Sequence, residues 1–104
     1  MTKGGLNEGA YLGVCKIALR MPHVSSLKGK RQIVKKILER VKNRFNVSAA
    51  EVGALDRRSE ALLCFVTAGN EGAFVNSVAD KVLAFVEDAC LAEISDFEIE
   101  VIKL

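Results

Sequence analysis

The chain reads as an α+β domain, a four-stranded antiparallel sheet with two helices on one face. Three observations predict it: apolar and polar residues alternate near both ends of the chain, two longer segments repeat apolar residues at helical spacing, and two short apolar runs lie between those segments. The resulting order is βαββαβ. At 104 residues the chain is long enough for one hydrophobic core and too short for two stable ones.

Residues 1–10 hold three glycines and no hydrophobic period, and are expected to be a flexible leader. From Tyr11 onward, Cys15, Ile17 and Leu19 alternate with Leu12, Val14, Lys16, Ala18 and Arg20, a first strand that Met21-Pro22 ends. Ser25 and Ser26 can cap a helix, and Leu27, Ile33, Val34, Ile37, Leu38, Val41 and Phe45 then recur at helical spacing. Val47 to Leu55 and Ala61 to Ala68 form a hairpin across the polar turn Asp56-Arg57-Arg58-Ser59, and the second, almost wholly apolar, is expected to be central in the sheet. After Gly69-Asn70, Phe74, Val75, Val78, Val82, Phe85 and Val86 mark a second helix that ends near Cys90. Phe97, Ile99 and Val101 alternate with Asp96, Glu98 and Glu100 in a last strand. Two split βαβ units joined by right-handed crossovers favour a ferredoxin-like sandwich over residues 11–104.

One sheet face is left open. Leu12, Val14 and Ala18 lie on it beside Lys16 and Arg20, and the Ala61 to Ala68 strand is apolar on both sides. A patch of that kind is expected to be covered, most simply by a second copy in a homodimer.

Composition removes several classes. Half the residues are apolar, 27% are charged and proline occurs once, so global disorder is excluded. No apolar run approaches the ~20 residues that span a bilayer, and the N-terminus lacks the apolar core of a signal peptide, which points to a cytoplasmic protein without a membrane segment. Cys15, Cys64 and Cys90 form no CxxC pair and are expected to be buried and reduced, with no zinc site, no other metal and no cofactor.

Charge is distributed unevenly. From Lys28 to Arg44 there are eight basic residues against one acid, Glu39, while the rest of the chain is acidic in balance. Lys28, Lys30 and Arg31 stand in the first helical turns, where the helix dipole is positive and cations cost roughly 0.3 to 1 kcal/mol each. With the hydroxyl of Ser26 and the free helix amides they are expected to converge on an anion, and Gly29 is expected to let a ligand reach the backbone. Lys35, Lys36 and Arg40 extend the same basic surface, so Ser26, Lys28, Lys30, Arg31, Lys35, Lys36 and Arg40 form the candidate anion- or RNA-binding set. A solvated face that keeps a small protein soluble is the competing reading.

Ser26-Leu27-Lys28-Gly29-Lys30-Arg31, then Arg44-Phe45-Asn46-Val47-Ser48-Ala49-Ala50-Glu51-Val52-Gly53, and Asp56 in the following turn resemble, in order and spacing, the YlxP-like family of small bacterial proteins, a domain-of-unknown-function family. The resemblance runs from about Tyr11 to the C-terminus. It implies a ferredoxin-like fold and a dimer, and the family's usual genetic neighbours, translation and ribosome-maturation genes, imply RNA or the ribosome as partner. In this chain Arg57-Arg58-Ser59 replaces a turn where many members carry an aromatic residue.

No Ser/His/Asp set, metal-ligand spacing or dinucleotide fingerprint is present, so no catalytic residue is assigned. His23, the only histidine, lacks sequence neighbours that would make it a ligand or a base. Asn46 is read as a turn former, Glu51 as the partner of a cation, and Glu98 and Glu100 as an outer-face pair facing Lys16 and Arg20. Three functions stay open: a non-catalytic RNA- or ribosome-associated module, a dimeric sensor of a small anion, and an enzyme acting on phosphates.

Overall fold

The structure, a computed structural model, describes residues 8–104. Most of the expected leader, residues 1–7, lies outside the described residues. The elements follow in the order β1 (Tyr11–Arg20), α1 (Leu27–Arg44), β2 (Ser48–Gly53), β3 (Glu60–Gly69), α2 (Gly72–Ala89) and β4 (Glu93–Lys103). They build one antiparallel sheet in the order β2-β3-β1-β4, with β3 and β1 central. This is the βαββαβ sandwich that the sequence predicts.

Alternation along the central strands makes the two faces. Cys15, Ile17 and Leu19 of β1 and Ala61, Leu63 and Phe65 of β3 turn toward the helices and are buried. Val34, Ile37 and Val41 of α1 and Val75, Ala79, Val82 and Val86 of α2 close over them. α1 lies against β2, and α2 against β1, β3 and β4. On the open face Leu12, Val14, Ala18, Leu62, Cys64 and Val66 are half-buried by one another. Asp96, Glu98 and Glu100 border them on β4.

The last strand begins three residues before the alternation that announces it. A bulge shifts the register between Ala18 and Leu19, whose partners on β4 are Asp96 and Ile94. Ser95 is the extra residue, and its hydroxyl donates to the Ala18 carbonyl at 3.2 Å. Ile94 and Phe97 therefore share a face although they are an odd number apart, which hides the start of β4 from a period-two reading. The same register pairs Lys16 with Glu98, as expected, whereas Arg20 faces Glu93 and Val14 faces Glu100.

Two of the three thiols depart from the expected burial. Only Cys15 is buried, and burial, with a smaller contribution from Cys64, pushes its thiol up to about 11. Cys64 lies half-buried on the open face, and Cys90 is exposed as the C-cap of α2, one turn beyond the last buried valine. The folded chain holds the Cys15 proton more tightly than the unfolded chain, so this thiol's contribution to stability is complete below pH 9.0 and declines as pH rises toward about 11. Timed labelling with an aromatic disulfide near neutral pH should modify Cys90 first, Cys64 more slowly and Cys15 only on unfolding; rapid labelling of Cys15 in the native protein would contradict its burial.

α2 sits on β1 at Gly13, where a Cβ would collide with the Val75 carbonyl. Helix backbone and strand backbone touch there without an intervening side chain. Gly13→Ala should force α2 away from the sheet and lower stability by about 1–3 kcal/mol in urea unfolding, and an unchanged midpoint would show that the helix is free to shift.

Candidate functional site

α1 starts at Ser26, which has extended backbone (φ −140°, ψ 154°) and accepts a hydrogen bond from the Gly29 amide at 3.0 Å. This is ordinary N-capping, worth about 1 kcal/mol. No acid stands in the first turn, while Lys42 and Arg44 occupy the last, where the helix dipole favours them. A Cβ on Gly29 would meet Ser26 Oγ at 3.2 Å and Val24 at 3.3 Å. A side chain at this position would crowd the cap and the entering loop, so glycine leaves the cap room to form.

The candidate set divides at Lys30. Its side chain is 0% exposed, and Nζ donates to the carbonyls of Ala54 at 2.7 Å and Leu55 at 3.3 Å. Glu51 Oε2 lies 2.7 Å from the same nitrogen. The two groups form an ion pair enclosed between α1 and β2, with the lysine side chain fully buried and the glutamate side chain 16% exposed. Lys30 thus holds α1 to β2 and to the following loop, and its ammonium is not at the surface expected for an anion contact. Glu51 pairs with a cation, as its strand position suggests.

Ser26, Lys28, Arg31, Lys35, Lys36 and Arg40 are all exposed, as are Lys42 and Arg44. Among the described residues their only ion pair is a marginal one, Lys35 to Glu39 at 4.0 Å. Lys28, Arg31, Lys35 and Lys42 follow one flank of the helix, and Lys36 and Arg40 the other. Arg44 lies over the Phe85 ring, 5.8 Å from its centre, and so is engaged with α2. An open depression beside the N-terminus is lined by His23, Ser25, Ser26, Gly29, Gln32 and Lys36. Arg58, which lies outside the basic run along the helix, reaches across from the β2–β3 loop and donates to the Ser25 carbonyl at 3.4 Å. Its neighbour Arg57 pairs with Glu60 at 2.9 Å.

Asn46 turns the chain between α1 and β2, and its carbonyl accepts from the buried Thr67 hydroxyl at 3.0 Å. His23 is exposed, and among the described residues no three His, Cys, Asp or Glu side chains are placed to hold a metal ion. Among the described residues no helix is long and apolar enough to cross a membrane.

Residues 12–99 match the family described as protein of unknown function, DUF503, and the chain belongs to that family. It is 36% identical over 62 residues to the uncharacterized protein YlxP of Bacillus subtilis (strain 168), a stretch that covers 60% of this chain and 67% of that protein. A de novo designed protein, Foldit4, aligns with a TM-score of 0.49 at 14% identity, over 91% of this chain and 96% of its own. The two motifs that carry the family resemblance meet in space, since Lys30 belongs to the first and Glu51 to the second.

Lys30→Gln should lower stability by about 3–5 kcal/mol by leaving Glu51 buried without a counter-charge. Lys30→Met with Glu51→Leu should recover most of that loss. Thermal or urea unfolding of the three proteins measures it, and a single variant as stable as the parent would contradict the structural role.

Proposed function

We propose that the protein is a non-catalytic, cytoplasmic RNA- or ribosome-associated module that binds phosphates through the solvent face of α1. The observation that carries this reading is the row of exposed cations on one helix: Lys28, Arg31, Lys35, Lys36, Arg40 and Lys42 have Glu39 as their only acidic neighbour on that helix. Stability does not ask for such an arrangement, because like charges at helical spacing repel and those in the first turn oppose the dipole. Phosphates spaced along a nucleic acid would relieve both effects. Ser26 contributes through its cap, which fixes where the helix begins, and Lys30 through its hold on the loop, which keeps Arg58 beside Ser25.

Acids gather on the opposite side of the sheet. Glu93, Asp96, Glu98 and Glu100 are exposed on β4, the edge strand farthest from β2, so a polyanion is favoured on the α1 side alone. A second copy of the chain is the proposed cover for the open face of Leu12, Val14, Leu62 and Val66, which lies away from α1 and leaves the basic surface free. The depression lined by His23, Ser26 and Lys36 favours a second reading, a sensor of a small anion. Stabilisation by inorganic phosphate at micromolar concentration, with no binding of RNA, would select it.

Filter binding to ribosomal subunits and total RNA, over a series of salt concentrations, tests the main reading. Affinity should fall with salt at about 0.7 to 0.9 logarithmic units for each phosphate neutralised. Lys28→Gln, Arg31→Gln and Lys35→Gln together should weaken binding alike across RNA sequences and flatten the slope by about one unit for each cation removed from a phosphate. Stability should stay level or rise slightly as cations leave the positive helix end. Equal binding by the triple variant, or none by the parent at low salt, would return the helix to a solvated surface.

A further inference from the structure

The solvent face of α1 has a structure of its own. Gln32, Glu39 and Asn43, all exposed, follow one another at intervals of seven and four residues, down the middle of the face opposite Lys30, Val34, Ile37 and Val41. On one side of that line run Lys28, Arg31, Lys35 and Lys42, and on the other Lys36 and Arg40. The helix has 18 residues, about 27 Å of length. Its outer face therefore carries hydrogen-bonding groups along the crest and cations down both slopes.

Resting on the RNA-binding reading, we propose that α1 lies lengthwise in the minor groove of an RNA duplex. The two slopes then meet the phosphates of the two strands, and the crest meets the groove floor. None of the exposed residues of α1 is aromatic, so the helix has no ring on which unpaired bases would stack. The minor groove of an RNA duplex is wide and shallow and displays 2′-hydroxyls, each a donor and an acceptor. The side-chain amides of Gln32 and Asn43 offer both complements, while Glu39 between them faces Lys35. DNA lacks these partners, so RNA is distinguished from DNA at the crest while the slopes supply affinity for either.

Fluorescence anisotropy with a duplex RNA of about 16 base pairs, the DNA duplex of the same sequence and one RNA strand alone tests this. At equal salt the parent should bind the RNA duplex about tenfold or more tightly than the other two, the discrimination two additional hydrogen bonds provide. Gln32→Ala with Asn43→Ala should bring the RNA duplex to within about twofold of the DNA duplex and leave the salt slope unchanged. Lys35→Gln with Lys36→Gln should weaken binding of all three probes and flatten the slope. All four positions are exposed, and circular dichroism should show each variant folded like the parent. Equal binding of RNA and DNA duplexes, preference for the single strand, or an RNA preference that survives loss of both amides would each overturn the groove assignment while leaving phosphate binding by α1 in place. Absence of binding to every probe at low salt would overturn both.

Discussion

A lysine ammonium without water must find its partners inside the protein, and the arrangement around Lys30 follows from that requirement. Isolated, the charge would cost several kcal/mol. Two carbonyls and one carboxylate surround it instead, and they come from three consecutive features: the end of β2, the left-handed residue Ala54 (φ 58°) and Leu55. To present both carbonyls the chain must leave β2 sharply, and the register shift between Glu51 and Gly53 makes that departure. The site's loop, the start of α1 and the edge of the sheet are thus one unit held at a single nitrogen. With its three acceptors on β2 and the loop after it, the ammonium ties the start of α1 to the edge of the sheet.

That arrangement separates two kinds of basic residue that a charge count treats alike. The signal for Lys30 is present in the sequence, because it lies four residues before Val34, seven before Ile37 and eleven before Val41, on the line of the buried stripe. Counting cations from Lys28 onward obscures this. Glu51 is legible as the partner of a cation, since alternation in β2 turns it to the helix side, yet no local rule names a partner twenty-one residues earlier.

Elements whose period is unbroken can be placed to within a residue or two. β1, α1, β3 and α2 are long, and proline, serine or glycine stands at or just beyond the end of β1, the start of α1, both ends of β3 and the start of α2, so pattern and boundary agree there. The two edge strands are less legible, and for one cause: each has a bulge, at Val52 and at Ser95, that flips the parity of the alternation. Cys90 illustrates a further limit, since helical spacing dictates the last buried residue, Val86, while the cap beyond it faces water in a left-handed conformation (φ 52°) whatever its hydrophobicity.

The division of charge across the sheet has a consequence for how the molecule moves before it touches anything. With cations above β2 and acids along β4, the folded chain has a permanent electric moment that runs roughly across the strands. Within about a Debye length of a polyanion, ~8 Å at physiological ionic strength, that moment exerts a torque, so the protein turns its helix side forward and its acidic edge away while still diffusing. Orientation then costs little of the encounter time, and the fraction of collisions that arrive correctly turned becomes a function of ionic strength in its own right.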